Sequence, residues 1–98
     1  MSLQVIHLPS LMPPLRIQSL FLGQAIKFVR ETMGLSQEEL AFNCGLHPTA
    51  IPPLEKGRRK PRFDTLERIA EGLGVECSHV LALAEVFRIG AEQAKAGE

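Results

Sequence analysis

QEELAFNCGLHPTAIPPLE, residues 37–55, reads as a short helix, a tight turn and a second helix. Leu40 and Ala41 fall on the inward side of the first piece, and Gly45 follows four residues after Ala41. Leu46, Ile51 and Leu54 complete the apolar set. A small residue and a glycine at this spacing suit two helices that cross steeply. A large side chain would not fit at such a crossing, and the turn calls for a residue that tolerates φ > 0. The second half carries Pro52 and Pro53. Each removes a backbone donor toward the carbonyl of Pro48 or Thr49, and each ring crowds that carbonyl. In a helix interior a proline costs about 3 kcal/mol. Because Ile51 and Leu54 are needed in the core, the expected third element is a helix that survives short or kinked.

Working outward, Ser36 with Glu39 three residues later forms a capping box ahead of this stretch. Upstream, Ser19 is the expected N-cap of a first helix over Leu20–Met33. Leu22, Ile26 and Val29 form its inner stripe, and Gly34 stands just past its end. Within the quoted stretch, His47 takes the cap position of the third element and Pro48 the first helical position, where a missing N–H costs nothing. Gly57 stops that element. The loop KGRRKPR, residues 56–62, then holds five of the chain's eleven basic residues and no acid. Asp64 is the expected N-cap of a fourth helix that passes Leu66, Ile69 and Ala70 and ends near Gly72-Leu73-Gly74. Ser78 is expected to cap a fifth helix over 78–96, with Val80, Leu81, Ala84 and Phe87 on one stripe and a weakening after Gly90. The pattern is all-α: a compact five-helix domain over residues 19–96, preceded by an irregular apolar N-terminal arm over 1–18. Pro9, Pro13 and Pro14 interrupt the arm, although it carries Val5, Ile6, Leu8, Leu11, Met12, Leu15 and Ile17.

Composition bounds the partners. The chain has 98 residues, 45% hydrophobic and 22% charged, which suits one domain with a modest core. The formal net charge is zero, so attraction to a polyanion must come from local clustering such as the 56–62 loop. Tyr and Trp are absent, which argues against stacking platforms for single strands. Two cysteines, Cys44 and Cys77, are too few for a disulfide framework and suggest a reducing compartment. The N-terminal stretch lacks the unbroken apolar run of a signal peptide, and no window reaches the ~18 apolar residues of a membrane span. A cytoplasmic location is expected.

Residues 22–84 resemble the Cro/repressor-type helix-turn-helix family of bacterial and phage transcription regulators. The resemblance is carried by Leu22-Gly23, Ile26 and Arg30, by the run Gly34 to Ala41, and by Gly45-Leu46, Ile51, Leu54-Glu55 and Gly57. Pro61, Leu66, Ile69-Ala70 and Leu73-Gly74-Val75 extend it. It implies a repressor-like DNA-binding domain whose third helix enters the major groove of duplex DNA, usually as a homodimer, and a transcriptional regulator that acts as a repressor. It also implies a structural salt bridge between Arg30 and Glu55, and DNA contacts at Gln37, His47, Thr49, Ala50, Pro53, Lys56, Arg58, Arg59 and Lys60. In this reading Gln37 and the basic loop meet phosphates, while Thr49 and Ala50 face base edges. The chain departs from the family at Pro52 and Pro53, neither of which can make a bidentate base contact. That departure supports an alternative, a helix-turn-helix scaffold used mainly for protein–protein association. Phe28 and Phe42 stand on the solvent side, where relatives carry polar residues. Two exposed phenylalanines suggest a surface covered by the arm or by a partner chain.

Other chemistries are poorly supplied. Cys44, His47, Cys77 and His79 could be read as a metal set, but Cys44 occupies a small core position and His47 a helix cap. No nucleophile–base pair or phosphate-binding glycine loop appears, so neither an enzyme, a cofactor nor a small-molecule ligand is expected.

Overall fold

A computed structural model describes residues 18–97. Five α-helices follow one another: α1 (Ser19–Thr32), α2 (Gln37–Cys44), α3 (Ile51–Glu55), α4 (Phe63–Leu73) and α5 (Cys77–Ala96), with a 3₁₀ turn at Pro48–Ala50 leading into α3. The expected arm over 1–18 falls outside the described residues except for Gln18.

Helix α1 lies along α5 and against α3, while α2 packs on α4. The residues that drive this packing follow helical spacing: Leu22, Ala25, Ile26 and Arg30 on α1, and Leu66, Ile69, Ala70 and Leu73 on α4. The largest fully buried side chains are Ile26, Leu40, Ile51, Ile69 and Val80. Each comes from a different helix, so all five elements meet in one core, and each such burial is worth roughly 1.5–3 kcal/mol. Even the five-residue α3 is held this way, through Ile51 and Leu54.

Helix α2 starts at the expected capping box. Ser36 Oγ accepts from the Glu39 N–H at 3.0 Å, and Glu39 Oε1 accepts from the Ser36 N–H at 2.8 Å. Three other helix starts differ from expectation. The N-cap of α1 is Gln18, that of α4 is Arg62 and that of α5 is Glu76, none with a side-chain cap bond. Ser19, Asp64 and Ser78 therefore lie inside the first turns rather than before them. An acid within the first turn, such as Asp64, is favoured by the positive end of the helix, so it supports a start on either side of itself. Helix α5 also runs unbroken past Gly90 to Ala96. The Arg88 guanidinium donates to Glu85 on one side of the glycine and to Glu92, at 2.7 Å, on the other. These bonds raise the arginine's pKa and lower that of Glu85, and the i,i+3 and i,i+4 pairs hold the turn that contains the glycine.

Gly45 does the turning but not the close packing. Its φ of 70° ends α2 in the left-handed region, where the N–H of Leu46 donates back to the Ala41 carbonyl at 2.9 Å. A Cβ there would meet only the end of the Arg68 guanidinium, at 2.9 Å. The crowded approach lies instead at Gly23 on α1, where a Cβ would stand 2.3 Å from the Leu54 carbonyl oxygen and 2.6 Å from that of Glu55.

Cys44 packs in the core against Gly72, and burial pushes its thiol above the ordinary value more than Arg68 pulls it down. Cys77, at the first position of α5, is half-exposed, although burial raises its thiol too. A thiol reagent should therefore label Cys77 slowly in the native protein and Cys44 only on unfolding. Peptide mass spectrometry after timed alkylation reads this directly, and equal native rates would contradict the packing of Cys44.

Candidate nucleic-acid interface

A buried charge pair sets the frame. Arg30, on the last turn of α1, donates from Nε to Glu55 Oε2 at 2.6 Å and from Nη2 to Oε1 at 3.0 Å. Its Nη1 donates to the Leu35 carbonyl at 2.8 Å. Both residues are buried, with relative exposures of 8% and 6%. The hydrogen bond to Glu55 raises the arginine's pKa, which burial alone would lower. Gln37, at the first position of α2, joins the pair by donating from Nε2 to Glu55 Oε1 at 3.0 Å. The end of α1, the loop after it, the start of α2 and the end of α3 thus converge on one ion pair. Gln37 was expected as a phosphate contact at the surface. It is half-buried, and one N–H of its amide is engaged with Glu55 inside the protein.

The two prolines are accommodated by a change of helix type. Pro48–Ala50 forms a 3₁₀ turn, closed by the Ala50 N–H donating to the His47 carbonyl at 2.9 Å. The α-helix restarts at Ile51, so Pro52 and Pro53 sit in its first turn, where backbone N–H groups have no intrahelical acceptor anyway. The penalty of a mid-helix proline therefore does not arise. Their carbonyls are used: Pro52 accepts from the Lys56 N–H and Pro53 from the Arg58 N–H, both at 3.0 Å. The start of the basic loop is in this way tied to α3.

Around this frame the surface residues take their places. His47 caps the 3₁₀ turn, its Nδ1 accepting from the Thr49 N–H at 3.2 Å, and the Thr49 hydroxyl lies 2.8 Å from the same nitrogen. His47 and Thr49 are exposed, while Ala50 and Pro53 are half-buried. Lys56, Arg58, Arg59 and Lys60 are exposed, and among the described residues none of them forms an ion pair. Arg62, in the same loop, pairs with Asp64 at 3.5 Å across open solvent, a contact of little energetic weight. The result is a run of four unpaired cations beside a short, rigidly seated turn of helix.

Three interactions at this surface escaped sequence reasoning: the Gln37–Glu55 bond, the Thr49–His47 bond, and Arg68 Nη2 donating to the Gly45 carbonyl at 2.9 Å. The last two involve polar groups at the ends of elements. Only a capping histidine two residues before a threonine could have signalled one of them. Phe28 is half-exposed and rests edge-on against Phe87, with ring centroids 5.9 Å apart. Phe42 is 86% exposed. Among the described residues no group of His, Cys, Asp and Glu is arranged to hold a metal ion, and no helix is long and apolar enough to cross a membrane.

Comparisons with known proteins agree with this architecture. The family model for the helix-turn-helix, HTH_3, matches residues 26–80. The control protein C.BamHI of Bacillus amyloliquefaciens is 40% identical over 63 residues, which cover 63% of this chain and 78% of that protein. The immunity repressor protein of Bacillus phage phi105 is 34% identical over 73 residues, covering 74% of this chain but only 49% of its own length. Among solved structures, the clp gene regulator ClgR from Corynebacterium glutamicum superposes with a TM-score of 0.74 at 26% identity, over 87% of this chain and 90% of that one. With its capped α2, glycine turn and α3 seated on a buried arginine–glutamate pair, the chain belongs to the HTH_3 helix-turn-helix family.

Proposed function

We propose that this protein is a transcriptional regulator that binds duplex DNA as a homodimer and represses the genes beside its site. The observation that carries the reading is the run of exposed cations at Lys56, Arg58, Arg59 and Lys60, unpaired among the described residues and tied to α3 through the carbonyls of Pro52 and Pro53. Cations held at the end of a groove-facing helix neutralise phosphates and fix its register on the duplex. His47, Thr49, Ala50 and Pro53 form the face set toward the bases. Gln37 presents its remaining amide atoms at the start of α2, where helix N–H groups favour a phosphate. The prolines lie in the first turn of α3 and leave this face intact, which weakens the case for a scaffold serving protein association alone. Homodimer formation is supported by large apolar side chains left exposed, Val86 and Ile89 on α5 and Phe28 on α1. A regulator of this kind works where the DNA it binds lies, in the cytoplasm.

Titration of the protein with duplex DNA at several salt concentrations tests the reading. Log affinity should fall with log salt at a slope near −0.9 per phosphate contacted. The double variant Arg58→Ala, Arg59→Ala should weaken binding to all sequences alike and flatten the slope by about two contacts' worth. Salt-independent binding, or a double variant with unchanged affinity, would remove the basic loop from the interface.

A further inference from the structure

We infer that Thr49 reads DNA purely as a hydrogen-bond acceptor, because His47 takes up its hydroxyl proton, and that it therefore selects a base edge that donates. The inference rests on the DNA-binding reading above and goes beyond it by naming the class of base. Thr49 N–H donates to His47 Nδ1 at 3.2 Å. An N–H group can only donate, so this nitrogen carries no proton and the ring N–H sits on Nε2. The Thr49 hydroxyl oxygen lies 2.8 Å from the same bare nitrogen. Between those two atoms the only possible donor is the hydroxyl, which has one proton to give. What Thr49 then turns outward is a pair of oxygen lone pairs and a methyl group.

A threonine free to rotate reads donors and acceptors alike. One whose proton is held reads donors only. In the major groove the donors are adenine N6 and cytosine N4, whereas guanine O6 and thymine O4 accept. The geometry is set before DNA arrives: Pro48 fixes φ at the first position of the turn, and the turn itself is closed by the Ala50 bond to the His47 carbonyl. Besides its own place on that face, His47 is thus a positioning residue for Thr49.

The test exploits transitions, since exchanging adenine for guanine or cytosine for thymine turns a donor into an acceptor at the same place. The wild-type chain, Thr49→Val and His47→Gly are each used to select sites from a randomised duplex pool. Each is then titrated on the wild-type site and on its single transition variants. Glycine is chosen because it is well tolerated at a cap position in place of a capping side chain. Wild type should carry adenine or cytosine at one position and lose roughly five- to tenfold in affinity on its transition, the worth of one good hydrogen bond. In Thr49→Val that loss should shrink to less than about twofold. His47→Gly should tolerate both bases there, because the freed hydroxyl can turn to donate. Guanine or thymine at the position lost in Thr49→Val, or unchanged discrimination in both variants, would overturn the inference. Should His47→Gly lose its helical circular dichroism, Thr49→Val and the identity of the selected base still decide. Absence of any salt-dependent duplex binding by wild type would instead overturn the DNA-binding reading itself.

Discussion

Replacing Glu55 by alanine is expected to lower the stability of the domain by about 3–5 kcal/mol, the usual consequence of leaving a buried charge without its partner. Glu55 accepts three side-chain hydrogen bonds, two from Arg30 and one from Gln37. Arg30 is 8% exposed and cannot swing into water without opening the junction of α1, α2 and α3. For a domain with a total stability of order 5–15 kcal/mol, such a loss is a large fraction of the whole. Urea unfolding at constant m measures it. The pair itself contributes far less than its disruption costs, because both ions must be desolvated before they can attract. An apolar replacement of both partners, Arg30→Met with Glu55→Leu, should accordingly recover most of the stability lost by Glu55→Ala. A single variant that loses under about 1 kcal/mol would mean that the guanidinium reaches solvent. The functional consequence follows from position: Glu55 is the last residue of α3, and the basic loop begins at the next residue. DNA affinity should fall in Glu55→Ala even at temperatures where the chain stays folded.

Gly23→Ala is the second substitution expected to act strongly. In an open helix, alanine in place of glycine stabilises by about 1 kcal/mol. Here the added methyl would stand 2.3 Å and 2.6 Å from two carbonyl oxygens at the end of α3. These are backbone atoms of a helix whose Leu54 and Glu55 are both buried, so no side-chain rotation relieves the clash. Overpacking of this kind costs about 1–3 kcal/mol and sometimes more. The net expectation is a loss of about 2 kcal/mol, or a melting temperature lower by roughly 10 °C in a domain of this size. A thermal melt that rises instead would show that α1 and α3 separate freely. Because α1 carries Arg30, the same displacement should also lengthen the contact to Glu55, and the two variants should be less than additive when combined.

The order of helices was legible because the signals that set it are local. Ser36 and Glu39, three residues apart, can satisfy each other's backbone groups whatever the rest of the chain does. Gly45 is needed wherever the chain must enter φ > 0. The alternation of Leu66, Ile69, Ala70 and Leu73 allows one buried face and no other. Helix starts were less legible. Ser19, Asp64 and Ser78 are compatible with a cap or with the first turn, and packing of Leu22, Leu66 and Val80 decided between them. The helix carrying Pro52 and Pro53, expected short or kinked, survives short over Ile51–Glu55 for a related reason. A proline's cost depends on its distance from the helix start, and that start was moved by the 3₁₀ turn, a matter of three-dimensional fit.

From the residues alone came the all-α class, the five helices, the helix-turn-helix at 37–55 and the concentration of charge at 56–62. Each rests on interactions within a few residues of chain, where covalent connectivity fixes who meets whom. Tertiary structure decided which glycine is indispensable for packing, that Gln37 turns inward to Glu55, and that the Thr49 hydroxyl is held by His47. The first two depend on the distance of closest approach between helices, which periodicity leaves open. The last depends on where a ring nitrogen falls once a turn tightens from α to 3₁₀, a shift of a single residue in hydrogen bonding that narrows what Thr49 offers a base to an acceptor alone.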